Sequence, residues 1–222
     1  MPEDRNQNQI CRKDARNCFV ESLNDAFELG KIHLSFASYD LTKPAGQRQT
    51  NSIHIYISAD EFLELCRKVS CGEFRFLQQN KKKNGDCTPL FQTLGGTSAE
   101  KLARAGRTRP DGKCLSRTME IVVGIRSDFL LVANSGPGET TDKGLIVPKF
   151  GNKPENHVAV SMTFDALSEL LLLTKAHFEA WLCSFYMKPR PQPKKQNRAE
   201  SSFKLPDAGI PQPENYEPEQ IF

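Results

Sequence analysis

The chain has 222 residues, of which 38% are hydrophobic and 26% charged, and its formal net charge is +3 at pH 7. This length suits one substantial domain with appendages, and the modest apolar content predicts that part of the chain stays outside the core. Seven cysteines, an odd number, and an N-terminus without an apolar secretory segment predict a reducing, cytoplasmic compartment.

The hydropathy pattern and the spacing of reactive side chains disfavour several classes of function. The longest apolar stretch, residues 167–185, is interrupted by polar and charged side chains, so no membrane role is expected. The Cys and His spacings do not match zinc sites, and no metal or other cofactor is expected. We find no paired carboxylates, Ser-His-Asp order or phosphate-binding loop, and therefore predict no enzymatic activity and no catalytic residue.

Residues 1–15 are polar and are predicted to form a flexible N-terminus, followed by a domain over residues 16–187. Apolar side chains at helical spacing predict an amphipathic helix over residues 16–29. Residues 31–39 and 53–57 alternate apolar and polar side chains and are predicted to be half-buried strands.

A second helix is predicted directly after the second strand. Ser58 and Glu61 have the spacing of a capping box, and Gly72 ends the apolar stripe that follows. A third, long helix is expected from about residue 164 to 186. Further strands are predicted at residues 73–79, 90–94, 117–125, 129–134, 144–147 and 157–162. The expected fold class is α+β, with antiparallel sheets and helices packed on one face.

An internal repeat aligns residues 53–65 with residues 158–170 without a gap. Each copy is a strand that leads into a capped helix, and the apolar strand positions keep their character. Three positions are identical: Asp60 and Asp165, Glu64 and Glu169, Leu65 and Leu170. The repeat predicts an internally duplicated strand-helix unit. The alternative is that any strand followed by an amphipathic helix gives the same periodicities.

A duplicated unit of antiparallel strands closed by one helix resembles the Whirly-type and related transcriptional-coactivator-like folds that bind single-stranded DNA. The resemblance covers residues 30–187 and rests on element order and the repeat. It implies four strands before each helix. The strands predicted above number two before the first helix of the repeat and about six before the second, so an insertion or an exchanged strand would be needed.

Binding of a single strand requires cations for phosphates and flat side chains for base faces on a surface that helices leave uncovered. Strand alternation turns one set of polar side chains outward. This set comprises Lys31, His33, Tyr39, His54, Tyr56 and Arg75. The alternative is an ordinary solvated sheet face.

Positive charge is concentrated in the middle of the chain. Residues 65–117 contain twelve cations and four anions, a net charge of +8, which leaves the rest of the chain at −5. Such a cluster is what neutralisation of a phosphate backbone requires. The candidates are a lysine-rich hairpin tip and an arginine-rich loop with its following strand: Lys81, Lys82, Lys83, Arg104, Arg107, Arg109 and Arg117. For the lysines, a solvated tip is an equal alternative.

Residues 188–222 are rich in proline and poor in large apolar side chains, and a disordered tail is predicted. Its acidic end closes on Ile221 and Phe222, and resembles the tip of bacterial single-stranded-DNA-binding proteins. The resemblance implies that Glu217, Glu219, Ile221 and Phe222 bind replication or recombination proteins. A frayed terminus is the alternative.

These observations lead to one expected function: sequence-tolerant binding of single-stranded DNA by a homo-oligomer whose tail recruits other proteins. Two alternatives stay open. The same sheet could serve an RNA-binding regulatory module, or the chain could be a protein-interaction scaffold without affinity for nucleic acid.

Overall fold

The computed structural model describes residues 7–151 and 153–187. They form two antiparallel sheets, here called A and B, and four α-helices, which confirms the predicted α+β class. Within these ranges no helix combines the length and apolarity needed to cross a bilayer. The predicted tail, with Glu217, Glu219, Ile221 and Phe222, lies outside the described residues.

Sheet A is a meander in the order β1-β2-β3-β4. Its strands are Gln9–Asp14, Cys18–Leu23, Lys31–Tyr39 and Gln49–Ser58. The predictions of a helix over residues 16–29 and of a flexible segment reaching residue 15 were therefore wrong where β1 and β2 form. In β2, Val20 and Ser22 are buried while Phe19 and Glu21 are partly exposed, so a period of two governs this segment.

Two helices follow sheet A. Helix α1 (Ala59–Ser70) begins directly after β4, where the Ser58 hydroxyl donates a 2.8 Å hydrogen bond to the Glu61 carboxylate. Helix α2 (Glu73–Asn84) replaces the strand predicted over residues 73–79. Phe74 is fully buried whereas Phe76 is 62% exposed. Two side chains at i and i+2 share one face of a strand but point to different sides of a helix, which explains this difference.

Sheet B follows, with strands β5 to β9. They are Phe91–Thr97, Cys114–Val123, Phe129–Thr140, Ile146–Pro148 and Asn156–Met162, and β7 pairs with β6, β8 and β9. Helix α3 (Ala99–Arg104) lies in the connection between β5 and β6. The last helix, α4 (Phe164–Met187), begins after β9.

The two halves of the domain share one plan. In the first, β1-β2-β3-β4 leads into α1; in the second, the meander β5-β6-β7-β9 leads into α4, with the short β8 added beside β7. The Sγ of Cys66 in α1 donates to the carbonyl oxygen of Leu171 in α4 at 3.7 Å. These two residues are 105 positions apart, the offset of the repeat, and follow directly after its aligned segments. Equivalent residues approach each other where a twofold axis passes, so this contact agrees with a pseudo-twofold relation between the two halves.

The inner faces of both sheets form the core with these helices. Ile32, Leu34 and Phe36 of β3 are buried, as their alternation predicted. Helix α4 packs across β1 and β2, where the hydroxyls of Thr174 and Ser22 hydrogen-bond at 2.7 Å. The described α-helices that pack on sheet A, α1 and α4, both lie against its inner face.

The outer face of sheet B is partly covered by the segment around β8. A Cβ atom on Gly96 would lie 2.5 Å from the carbonyl oxygen of Leu115 and 2.7 Å from Cγ2 of Ile146. On Gly136, a Cβ would lie 2.8 Å from the ring of Phe150. Glycine is therefore required where residues 146–150 approach the strands.

Candidate functional site

A groove of about 420 Å³ runs along the outer side of β4. One wall is made by Lys31, His54 and Tyr56 of sheet A. The other wall is made by the β5 backbone, by Arg117 of β6, and by Arg107 in the connection after α3. The groove is thus built from both halves of the domain, and it gathers five of the residues predicted to bind nucleic acid.

His33 supports this wall from the neighbouring strand. It lies on the outer face of β3 as predicted, but it is only 3% exposed. Its ring stacks on Tyr56, with centroids 4.4 Å apart and planes 20° apart. His33 is covered by its neighbours and is not itself open to a ligand. It positions Tyr56, a residue that is 45% exposed.

A chain of four hydrogen-bonded side chains crosses the outer face of sheet A. Nδ1 of His33 lies 2.8 Å from Oδ1 of Asp25, and its Nε2 lies 3.0 Å from Nδ1 of His54. Nε2 of His54 lies 3.2 Å from the Ser52 hydroxyl. An ionised carboxylate only accepts, so Nδ1 of His33 donates to Asp25. When Nε2 of His33 carries no proton, it accepts from Nδ1 of His54. The Nε2 of His54 is then the acceptor that faces Ser52.

The electrostatics of the groove are those of a cationic site. Burial lowers the pKa of His54 below its usual value, and the neighbouring His33 adds to this shift. Arg117 and Arg107 lower the pKa of His54 further. Asp25 acts in the opposite direction and does not outweigh them. His54 is therefore neutral at pH 7 and sits in a field that favours an anion.

Arg117 is held in place by strand β5. It pairs across the strands with Gly95, which leaves room beside it, and its guanidinium donates to Oγ1 of Thr97 at 2.9 Å. Burial lowers the pKa of Arg117, the phenol of Tyr56 raises it, and Arg107 lowers it. Arginine stays protonated through such shifts. Arg117 thus provides a charge that is already desolvated and oriented.

A second aromatic cluster lies at the far end of the same face. Tyr39 was predicted to face outward, and its ring lies 6.4 Å from that of Phe19, over which the Arg12 guanidinium sits at 3.6 Å. The Tyr39 hydroxyl donates to the carbonyl oxygen of Ala15 at 3.2 Å. Tyr39 lies six positions after His33 in β3, or about 20 Å along the strand. Arg12 and Phe19 were missed because their segments were predicted to be flexible and helical.

The remaining predicted site residues do not join the groove. Arg75 lies on a helix, not a strand, with its guanidinium 4.9 Å from the Phe164 ring centre. Lys81, Lys82 and Lys83 form the last turn of α2, not a hairpin tip. Lysines at a helix C-terminus are stabilised by the helix dipole, which accounts for their clustering without a ligand.

The three arginines of the connection between β5 and β6 differ in their ion pairs. Arg109 binds Asp111 at 3.0 Å and Glu155 at 2.6 Å, and its side chain is only 12% exposed. Arg104 is exposed on α3, with Glu100 at 3.9 Å. Only Arg107 of these three lines the groove.

The described part of the chain gives little support for metal binding or for thiol chemistry. No group of three or more His, Cys, Asp or Glu side chains there could hold a metal ion. All seven cysteines are free thiols. Burial raises the pKa of Cys66 to about 12, which makes this thiol a poor nucleophile.

Comparison with known proteins found no family model, no curated protein and no solved structure that matches this chain.

Proposed function

We propose that this protein binds single-stranded DNA in the groove between sheet A and the β5-β6 hairpin, without catalysing a reaction. The observation that carries the proposal is the meeting of Tyr56 with Arg107 and Arg117 in one cavity. A ring that is supported from behind and open in front suits a base face, and two guanidinium groups beside it suit the phosphates.

The ring arrangement favours an unpaired strand. Tyr56 is backed by His33 and its free face points to the groove, so a base must be unstacked to lie on it. Bases in a duplex present only their edges in the grooves. Stacking and phosphate contact carry little base identity, so binding in this groove is sequence-tolerant.

The order of elements supports a relationship to the Whirly-like folds as part of this proposal. Each half contains four paired strands in a meander and then a helix, which is the order that the resemblance implies. The shortage of strands before the first helix disappears because β1 and β2 were missed in the sequence. Self-association, a cytoplasmic location, and recruitment of replication or recombination proteins by the tail remain parts of the proposal that the sequence suggests.

The test is fluorescence anisotropy with a labelled single-stranded oligonucleotide over a range of salt concentrations. Arg107→Glu should weaken binding at least tenfold and flatten the salt dependence, because a phosphate contact is lost. Tyr56→Ala should weaken binding about five- to a hundredfold through lost stacking. Arg104→Glu is the matched control, because it makes the same charge change three residues away and outside the groove.

Two results would contradict the proposal. Equal affinity for duplex and single strand would remove the role of Tyr56, and equal effects of Arg104→Glu and Arg107→Glu would remove the role of the groove. Tighter binding of an RNA oligonucleotide than of DNA would instead favour the RNA-binding alternative. If the protein binds neither single-stranded DNA, nor duplex DNA, nor RNA, the protein-interaction scaffold is favoured.

A further inference from the structure

A second cavity, of about 380 Å³, lies on the outer face of sheet B. Its floor is a row of polar side chains contributed by four strands, and its rim is made by the segment after β8. The floor residues are Gln92, Thr118, Glu120, Asn134 and His157. A small number of fixed polar groups beside an apolar surface can orient a small ligand.

The floor has a defined order of donors and acceptors. Nε2 of Gln92 donates to Oε1 of Glu120 at 2.8 Å. The other carboxylate oxygen of Glu120, Oε2, does not take part in this hydrogen bond. Nδ1 of His157 lies 2.7 Å from Oδ1 of Asn134, and because an amide oxygen only accepts, His157 donates. The amide of Asn134 directs Nδ2 toward Oγ1 of Thr118 at 3.5 Å.

The rim supplies a flat apolar surface. The ring of Phe150 lies against Gly136, where a Cβ would come within 2.8 Å of it. Pro148 and Pro154 flank this ring along the rim. An aromatic ring fixed by glycine on one side is a platform on which any base can stack.

The cavity and the groove are neighbours across one edge strand. Leu94 of β5 lines both of them and is 52% exposed. Gly95, the next residue, has open space where a Cβ would stand. A DNA strand lying in the groove could therefore cross the edge of sheet B at Gly95, beside Leu94, and reach the second cavity.

We infer that this cavity is a pocket for a single nucleobase bearing an exocyclic amino group, which the floor recognises through the Glu120 carboxylate. The inference rests on the proposed binding of a single strand in the groove. An ionised carboxylate only accepts, so it pairs with N4 of cytosine and repels the O4 carbonyl of thymine. The pocket thus adds a base preference to a groove that has none.

The test compares oligo(dC) with oligo(dT), each of roughly 15 nucleotides, at one salt concentration and pH 7.5. The two pyrimidines have the same ring size and differ at the position that Glu120 would read. The intact protein should bind oligo(dC) about tenfold more tightly. Glu120→Gln should bring the two affinities within about twofold, because a carboxamide both donates and accepts. Glu179→Gln, an exposed carboxylate on α4, is the control for the charge change.

A second variant examines the rim independently of base identity. Phe150→Ala should weaken both oligonucleotides about five- to tenfold and leave their ratio unchanged, because stacking is tolerant of base type. Phe76→Ala removes an exposed ring from α2 as its control. A ratio near one for the intact protein, or a ratio that survives Glu120→Gln, would overturn the pocket while leaving strand binding in place. No binding to either oligonucleotide would overturn the proposed function itself.

Discussion

The two halves of the domain have the same frame but differ in what their outer faces carry. On sheet A, the outer face presents Tyr56 and His54 to a groove, and the described α-helices that pack on this sheet lie against its other face. On sheet B, the strand glycines Gly96, Gly136 and Gly138 admit β8 and the ring of Phe150, which leaves a pocket over the polar floor. The difference teaches that the inner faces and the helices constrain the fold, whereas the outer faces are free to diverge.

The inner faces also differ, although less visibly. Phe36 pairs with Ile53 in sheet A, and Ala133 pairs with Val158 in sheet B. Because Ile53 and Val158 are equivalent in the repeat, Phe36 and Ala133 are equivalent as well. One half fills this layer of the core with a phenyl ring where the other uses a methyl group, so the halves are related but not interchangeable.

The largest expected effect is a loss of stability when Phe36, the larger of these two equivalent core residues, is truncated. Phe36→Ala should lower the free energy of unfolding by about 3 to 5 kcal/mol, because it empties a fully buried site. Denaturant unfolding measures the change, with Phe76→Ala as a control on an exposed ring that should cost less than about 0.5 kcal/mol. If the core did not need a large side chain at this position of sheet A, alanine would serve at position 36 as it does at position 133. Phe36→Ala and Phe76→Ala would then lower the free energy of unfolding equally, which would contradict the prediction.

The covering of sheet B gives the next effect. Gly96→Ala should destabilise the protein by about 1 to 3 kcal/mol, since the new Cβ would overlap the Leu115 carbonyl and Ile146. Amide hydrogen exchange at Ile146 and Val147 should become faster as β8 is displaced.

The adjacent Gly95 is the matched control for this variant. Nothing lies within 4 Å of its Cβ position, and its φ is not positive. Gly95→Ala should therefore leave stability unchanged or raise it by about 0.4 to 1 kcal/mol. If Gly96→Ala behaves in the same way, the outer face of sheet B is not held closed by its glycines, and the contrast with sheet A disappears.

Much of the frame could be predicted from the sequence where one periodicity was unambiguous. In β3 and β4, β-branched and aromatic residues alternate with polar ones over at least five positions, so the strands and the inward face followed directly. Helix α1 was recognised by its capping residues, and α4 by its length.

Other segments carried signals that fit two structures. Residues 16–29 place apolar side chains at spacings that suit a helix, but they form β2 and a short 3₁₀ turn at Phe27–Leu29 because β1 and β3 pair on either side of β2. Residues 73–79 alternate Phe74 with Arg75 and Phe76 like a strand, yet form α2, with one ring buried and one exposed. Strand pairing decided the first case and burial of Phe74 in the core the second, and neither leaves a local trace in the sequence.

The candidate site was predictable on one side only. Alternation placed Lys31, His54 and Tyr56 on one face, because side-chain direction is a local property of a strand. Which arginines face them was not local. Arg109 is taken up by Glu155, which is 46 residues away, whereas Arg107 remains beside the groove. Long-range ion pairs of this kind decide which cations are available, and spacing does not reveal them.

The smallest expected effect is a dependence of DNA binding on pH through His54, which lies on the outer face of sheet A. The pKa of His54 in the free protein is held below its usual value by burial and by neighbouring positive charge. A phosphate in the groove would favour the protonated imidazole, so the pKa of His54 is higher in the complex and binding takes up a proton. Affinity should therefore rise as the pH falls from 7.5 toward 5.5, by at most tenfold per pH unit, or about 1.4 kcal/mol.

His54→Gln should remove this added pH dependence, whereas His177→Gln, which removes an exposed histidine on α4, should retain it. The groups that face His54 are His33, Asp25, Tyr56, Arg107 and Arg117. Of these, His33 is the second histidine, and it is bonded to Asp25, so a His33→Gln variant separates its effect from that of His54. If affinity does not change with pH in the intact protein, the strand's phosphates do not approach His54, and the ligand lies instead toward the far cluster of Arg12, Phe19 and Tyr39.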